Sequence, residues 1–142
     1  VDLAKKLIEF HEGHENKVYI DSEDVLTCGI GHALHVGSHV PETAVQGFFN
    51  NDVKDAISLY NSMALGLGPI RRAAMIDMCF NLGPQLKSWR LIDALRKEDF
   101  IRAGDEMKDS KWWRQVGRRA DDLWYIIMTG QLPPMGGLKW KL

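Results

Sequence analysis

The sequence predicts an α+β chain, mainly α, with a small N-terminal β-hairpin lobe. Three observations carry that prediction. Strand-type residues framed by turn residues occur only between Val18 and Ile30. Beyond Pro41, apolar residues recur at helical spacing in one segment after another. Pro and Gly punctuate the joins, at Gly66–Pro69, Gly83-Pro84 and Gly130.

From Asp2 to Phe10 the apolar residues Leu3, Ala4, Leu7, Ile8 and Phe10 share a helical spacing, with Asp2 as the expected N-cap. Gly13 should end this helix and leave Glu12 in its last turn. Val18–Ile20 and Leu26–Ile30 read as short strands joined by the turn Ser22-Glu23-Asp24. A polar loop, His35 to Val40, leads to Pro41, a residue suited to a first helical turn. One long helix should then run to about Met63 on Val45, Phe48, Phe49, Val53, Ile57 and Tyr60. Ile70 to Leu82 is strongly apolar and is expected to be the central core helix, stopped by Gly83-Pro84. Shorter helices follow at Ser88–Arg96, Asp99–Lys108, Lys111–Val116 and Arg118–Thr129. The tail 133–142, with Pro134, Gly136 and Gly137, reads as a loosely ordered extension despite Trp140.

The bulk properties narrow the function. At 142 residues the chain can bury one real core. A formal net charge of −1 argues against a nonspecific nucleic-acid binder, although Arg114, Arg118 and Arg119 form a local basic cluster. Two cysteines, Cys28 and Cys79, do not make a disulfide scaffold, and their apolar contexts suggest buried free thiols. No stretch approaches the ~18–20 apolar residues of a membrane span, so stable membrane insertion is not expected. No signal-peptide pattern opens the chain, which begins at Val1 rather than Met.

The chemistry concentrates early. Phe10-His11-Glu12-Gly13 is followed by Val18-Tyr19-Ile20-Asp21, a turn, and Thr27-Cys28-Gly29-Ile30-Gly31-His32. Two carboxylates thus flank a helix-to-strand transition. Cutting a glycosidic bond needs two carboxyl groups, one giving a proton and one activating water or attacking carbon.

This segment resembles the phage-type lysozymes (the T-even bacteriophage lysozyme and related endolysins, glycoside hydrolase family 24). Their pattern is Glu, eight residues, Asp, five residues, Thr, ending in Gly-x-Gly-His. It falls here on Glu12, Asp21, Thr27, Gly29, Gly31 and His32. Two further segments are similar to the same family: Ile70 to Gly83, and Ser110-Lys111-Trp112-Trp113-Arg114-Gln115 followed by Gly117-Arg118-Arg119-Ala120. The resemblance runs from about Leu3 to Leu132.

It implies a lysozyme-like two-lobed fold within a single domain, 1–132. The small lobe would span about 13–45, and a long connecting helix would follow. The larger helical lobe would comprise about 60–132 plus the N-terminal helix 2–12. The chain is shorter than the T-even enzyme between Gly-x-Gly-His and the long helix, so the small lobe should be trimmed.

The implied activity is that of a muramidase. It would hydrolyse the β-1,4 bond between N-acetylmuramic acid and N-acetylglucosamine in bacterial peptidoglycan, as a phage endolysin in host lysis. Glu12 would be the general acid, with Asp21 and Thr27 positioning or activating water. Hydrolysis would invert, with carboxyls ~6.5–9.5 Å apart; relatives with altered hairpins keep retention as the alternative. Gly31 and Ala33 would offer backbone to the substrate, and Phe80, Asn81 and Gln115 would bind the sugar chain. His32 would pair with Asp52 in a structural role. Arg119 would lie near Glu12, where a guanidinium favours the carboxylate, so it should be shared with other groups or serve to orient the acid. His11 departs from the family, in which an acidic residue often precedes the glutamate, and this bears on the pH optimum.

The rivals differ in residues. A catalytically inactive peptidoglycan-binding module would not need Glu12, Asp21 and Thr27 together. A lytic transglycosylase needs its glutamate but no paired aspartate. A metal hydrolase is suggested by His11-Glu12-Gly13-His14, but a zinc helix needs histidines at i and i+4, and here they are three apart. Two carboxyls and water suffice, so neither metal nor cofactor is implied. The partner is then peptidoglycan, the expected state a monomer, and the location the host cytoplasm until release to the wall. Virion-associated delivery is the alternative route.

Overall fold

The computed structural model describes residues 2–134. Seven α-helices and one three-stranded antiparallel sheet account for most of them, the α+β, mainly α, class expected. The chain divides into two compact units, Val1–Ala44 and Val45–Leu142.

The first unit opens with α1, Asp2–Glu12. Asp2 is its first helical residue rather than a cap outside it. Gly13, at φ +77°, turns the chain out of the helix while its N–H donates to the Glu9 carbonyl at 2.9 Å. Strand β1, Glu15–Ile20, then pairs antiparallel with β2, Leu26–Gly29. The register sets Tyr19 opposite Thr27 and Ile20 opposite Leu26, with an irregularity between Glu15 and Tyr19. A third strand, β3, His32–Ala33, was not anticipated; it pairs Thr27 with Ala33 and Cys28 with His32. Helix α1 and the sheet both fall within this first unit.

The second unit holds the core. Helix α2, Glu42–Ser62, begins at the end of the first unit and buries Ala56 and Tyr60. Tyr60 keeps its hydroxyl satisfied by donating to the Leu65 carbonyl at 2.9 Å. Helix α3, Pro69–Leu82, is the expected central helix: Ala74, Met75, Met78 and Cys79 are buried on one face. Pro69 occupies its first turn, where a missing N–H costs nothing.

Gly83-Pro84 ends α3 at Leu82, as expected, and the chain continues as a 3-10 segment, Gly83–Ser88, that the sequence did not announce. A proline whose φ suits a first helical turn can restart a helix as readily as end one. Helices α4 (Arg90–Arg96), α5 (Phe100–Lys108), α6 (Lys111–Val116) and α7 (Arg118–Thr129) follow. Asp99 caps α5 by accepting from Arg102 N–H, and Ser110 caps α6 by accepting from Trp113 N–H. From residue 135 the expected tail lies outside the described residues.

Arg71 ties two of these helices together. Its guanidinium lies 3.6 Å from the centre of the Phe100 ring. It also donates to the carbonyls of Ile127 and Met128 at the end of α7, at 2.8 and 3.3 Å. A cation there satisfies orphan carbonyls and opposes the negative end of the helix dipole. Arg71→Ala should therefore cost about 2–3 kcal/mol, read as a lowered urea midpoint at unchanged slope.

Candidate active site

Glu12 sits in the last turn of α1, exposed to solvent. Its carboxylate lies against the backbone of Gly31, which has φ +64°. The geometry is tight: a Cβ on Gly31 would come 2.5 Å from Glu12 Oε2. The hairpin thus presents a bare stretch of backbone to the acid.

Asp21 ends β1 and organises the turn. Its Oδ1 accepts from the N–H groups of Glu23 and Val25, both at 2.9 Å. Its Oδ2 accepts from the Thr27 hydroxyl at 3.2 Å. The backbone closes the same turn, with Asp21 N–H donating to the Val25 carbonyl at 2.9 Å. The Val25 N–H, followed by those of Glu23 and the Thr27 hydroxyl, holds the Asp21 carboxyl below its ordinary range against a smaller opposing effect of burial. Asp21 is a fixed carboxylate, suited to accept a proton from water and unsuited to donate one. Thr27, 3% exposed, is the buried polar residue among those described. Its hydroxyl reaches both Asp21 and the Val25 carbonyl, each at 3.2 Å. Ala33 faces Thr27 across the strand pair, and His32 is exposed on β3.

The other expected residues lie in the second unit. Phe80 is 42% exposed at the end of α3, its ring 6.1 Å from that of Phe49. It borders two hollows. One, of about 380 Å³, is lined by Asp52, Asp55, Ala56, Leu59, Cys79 and Pro84. The other, of about 270 Å³, is lined by Phe49, Val53, Ile76, Asp77 and Arg119. Asn81 accepts from the Trp112 indole N–H at 2.6 Å. Since that indole nitrogen can only donate, the Asn81 oxygen must face it, and the amide NH₂ is turned outward as a donor. Gln115 is exposed on α6.

The phage lysozyme family profile matches residues 9–124 of this sequence. The chain belongs to the phage lysozyme family. Two relatives from Dictyostelium discoideum are similar over their whole length. "Probable T4-type lysozyme 1" is 24% identical over 165 aligned positions, covering 93% of this chain and 97% of the relative. "Probable T4-type lysozyme 2" is 26% identical over 168 positions, with the same coverage.

The partner of Arg119 was missed by the sequence reading. Its Nε donates to Asp77 Oδ1 at 2.8 Å, and a terminal nitrogen reaches the Asp77 carbonyl at 3.5 Å. Arg119 thus pairs with Asp77 inside the second unit. The signal available was a single carboxylate within an otherwise apolar α3. Both cysteines are free; Cys79 is buried and Cys28 only half-buried. Burial pushes the Cys79 thiol up to about 11, which keeps it protonated and unreactive. Among the described residues, no group of three or more His, Cys, Asp and Glu side chains could hold a metal ion. Among them too, no helix is long and apolar enough to cross a membrane.

The lowered Asp21 pKa has a stability consequence. A carboxyl depressed on folding stabilises the fold above its unfolded value, about 3.9, and that contribution is lost as pH falls through the folded value. Urea unfolding at pH 5 and pH 3 should show a loss of stability in the wild type. Asp21→Asn should show a smaller loss over the same interval.

Proposed function

We propose that this member of the phage lysozyme family is a muramidase, hydrolysing the β-1,4 bond between N-acetylmuramic acid and N-acetylglucosamine in peptidoglycan. The observation that carries the reading is the Asp21–Thr27 pair: a locked carboxylate sharing a hydroxyl, one hairpin away from a free, exposed glutamate. That asymmetry divides the labour. Glu12 protonates the leaving glycosidic oxygen. Asp21 and Thr27 hold the attacking water, Asp21 taking its proton as the new C–O bond forms. The sugar released carries a new hydroxyl at the anomeric carbon, and inversion follows if the water attacks from the face opposite Glu12. Phe80, Asn81 and Gln115 bind the saccharide, Phe80 through its ring face and Asn81 through its outward NH₂. Within the first unit, Gly31 and Ala33 offer backbone to the substrate.

The setting we propose is lysis of the host at the end of phage infection, by a monomer that stays in the host cytoplasm until it is released to the wall. The same Asp21–Thr27 pair disfavours the two rivals. A binding module has no use for a locked carboxylate, and a transglycosylase forms its anhydro product without an activated water.

Clearing of outer-membrane-permeabilised Gram-negative cells tests this. The wild type should clear them, and Glu12→Gln, with its fold intact by circular dichroism, should lose at least ~100-fold. The products should end in free reducing sugars; anhydro ends would transfer the protein to the transglycosylases. A folded wild type inactive on purified peptidoglycan would leave only the binding module. Activity should also survive a metal chelator.

A further inference from the structure

We infer that Gly31 is a positioning residue for the acid: the absence of a side chain there is what lets the Glu12 carboxylate rest in its working place. This rests on Glu12 being the general acid. Four glycines of the first unit have positive φ, namely Gly13, Gly29, Gly31 and Gly37. A Cβ added to Gly13, Gly29 or Gly37 would meet nothing within 4 Å. At Gly31 the three nearest atoms all belong to Glu12: Oε2 at 2.5 Å, Cδ at 2.9 Å and Cγ at 3.0 Å. The space that only glycine leaves is occupied by the carboxyl end of Glu12.

Within the first unit no hydrogen bond or ion pair holds that carboxyl, in contrast to Asp21 with three donors. Its position is therefore set by sterics, between the end of α1 and the bare backbone of Gly31. The two halves of the clash are not equally stiff. Gly31 lies in the bend between paired strands β2 and β3, whereas Glu12 is a long side chain with free torsions. A methyl group at Gly31 would be accommodated by driving the carboxyl away, from 2.5 Å to the 3.4 Å of ordinary contact. The fold would absorb the change and the chemistry would not, since a misplacement of ~1 Å can cost ~100-fold in rate.

The experiment compares Gly31→Ala with Gly29→Ala and Gly37→Ala, with Glu12→Gln alongside. Gly29→Ala imposes the same kind of backbone strain, at φ +65° against +64°, without the clash. Gly37→Ala does so at φ +86°, away from the motif. Both should lower the melting temperature about as much as Gly31→Ala. On a soluble peptidoglycan fragment, Gly31→Ala should lose ~100-fold in kcat with KM within about twofold, and Gly37→Ala should keep the wild-type kcat. The ¹³C signal of the Glu12 carboxyl should shift in Gly31→Ala and hold in Gly37→Ala. A Gly31→Ala protein with wild-type kcat and an unmoved Glu12 signal would overturn the inference and leave the acid in place. A rise in KM at constant kcat would also overturn it, by showing that Gly31 acts on the substrate alone. If Glu12→Gln keeps full activity, the acid assignment falls, and the inference falls with it.

Discussion

The Asp21 carboxylate carries two burdens at once. Its oxygens accept from Glu23 N–H, Val25 N–H and the Thr27 hydroxyl, so it closes the turn between the first two strands. Those bonds fix the strand register that puts Thr27 opposite both Tyr19 and Ala33. They also set the charge state of the group. A neutral acid could not accept three donors equally well, so the turn is most stable when the site is ionised. The local fold and the ionisation state of Asp21 are thus one equilibrium. This matters more here than in most hairpins, because every buried apolar side chain among the described residues lies beyond Val45. Polar bonds, with little help from a core, hold the hairpin in shape.

The two units are built on different physics. In the second, α3 packs against α7 and the 3-10 segment, and its stability comes from burial. Met75, Met78, Leu86, Leu91 and Met107 have no measurable exposure. Packing there is close enough that Gly104 has room for no side chain, with Trp124 and Met128 of α7 across the interface. Such an interior tolerates little change in volume. The first unit has looser demands on volume and stricter ones on donors and acceptors.

Much of this was legible in the sequence, for a simple reason. Helical periodicity is local, and the helices from α2 to α7 announce themselves through apolar residues three and four apart. The Glu12, Asp21 and Thr27 motif is equally local, since a short hairpin brings its last two members into contact. What was not legible depended on distance or brevity. Strand β3 has two residues, too few to show alternation. The 3-10 segment after Gly83-Pro84 was hidden because proline both ends and begins helical turns. The Arg119–Asp77 and Trp112–Asn81 bonds join residues 42 and 31 positions apart, and no pattern in one dimension encodes them. The tertiary fold decides such pairings, and they are the ones that set the direction of polar groups on the surface.

The Trp112–Asn81 bond shows what that implies. Trp112 is 5% exposed, so a ligand at the surface never meets it. Yet its indole nitrogen dictates which end of the Asn81 amide points outward. Were Trp112 replaced by Phe, the amide would be free to rotate, and a surface point that had been a donor would become either donor or acceptor. The polar character of that point can therefore be rewritten from the interior without altering a single exposed residue. A comparison of relatives confined to surface residues would find the two proteins identical there and miss the change.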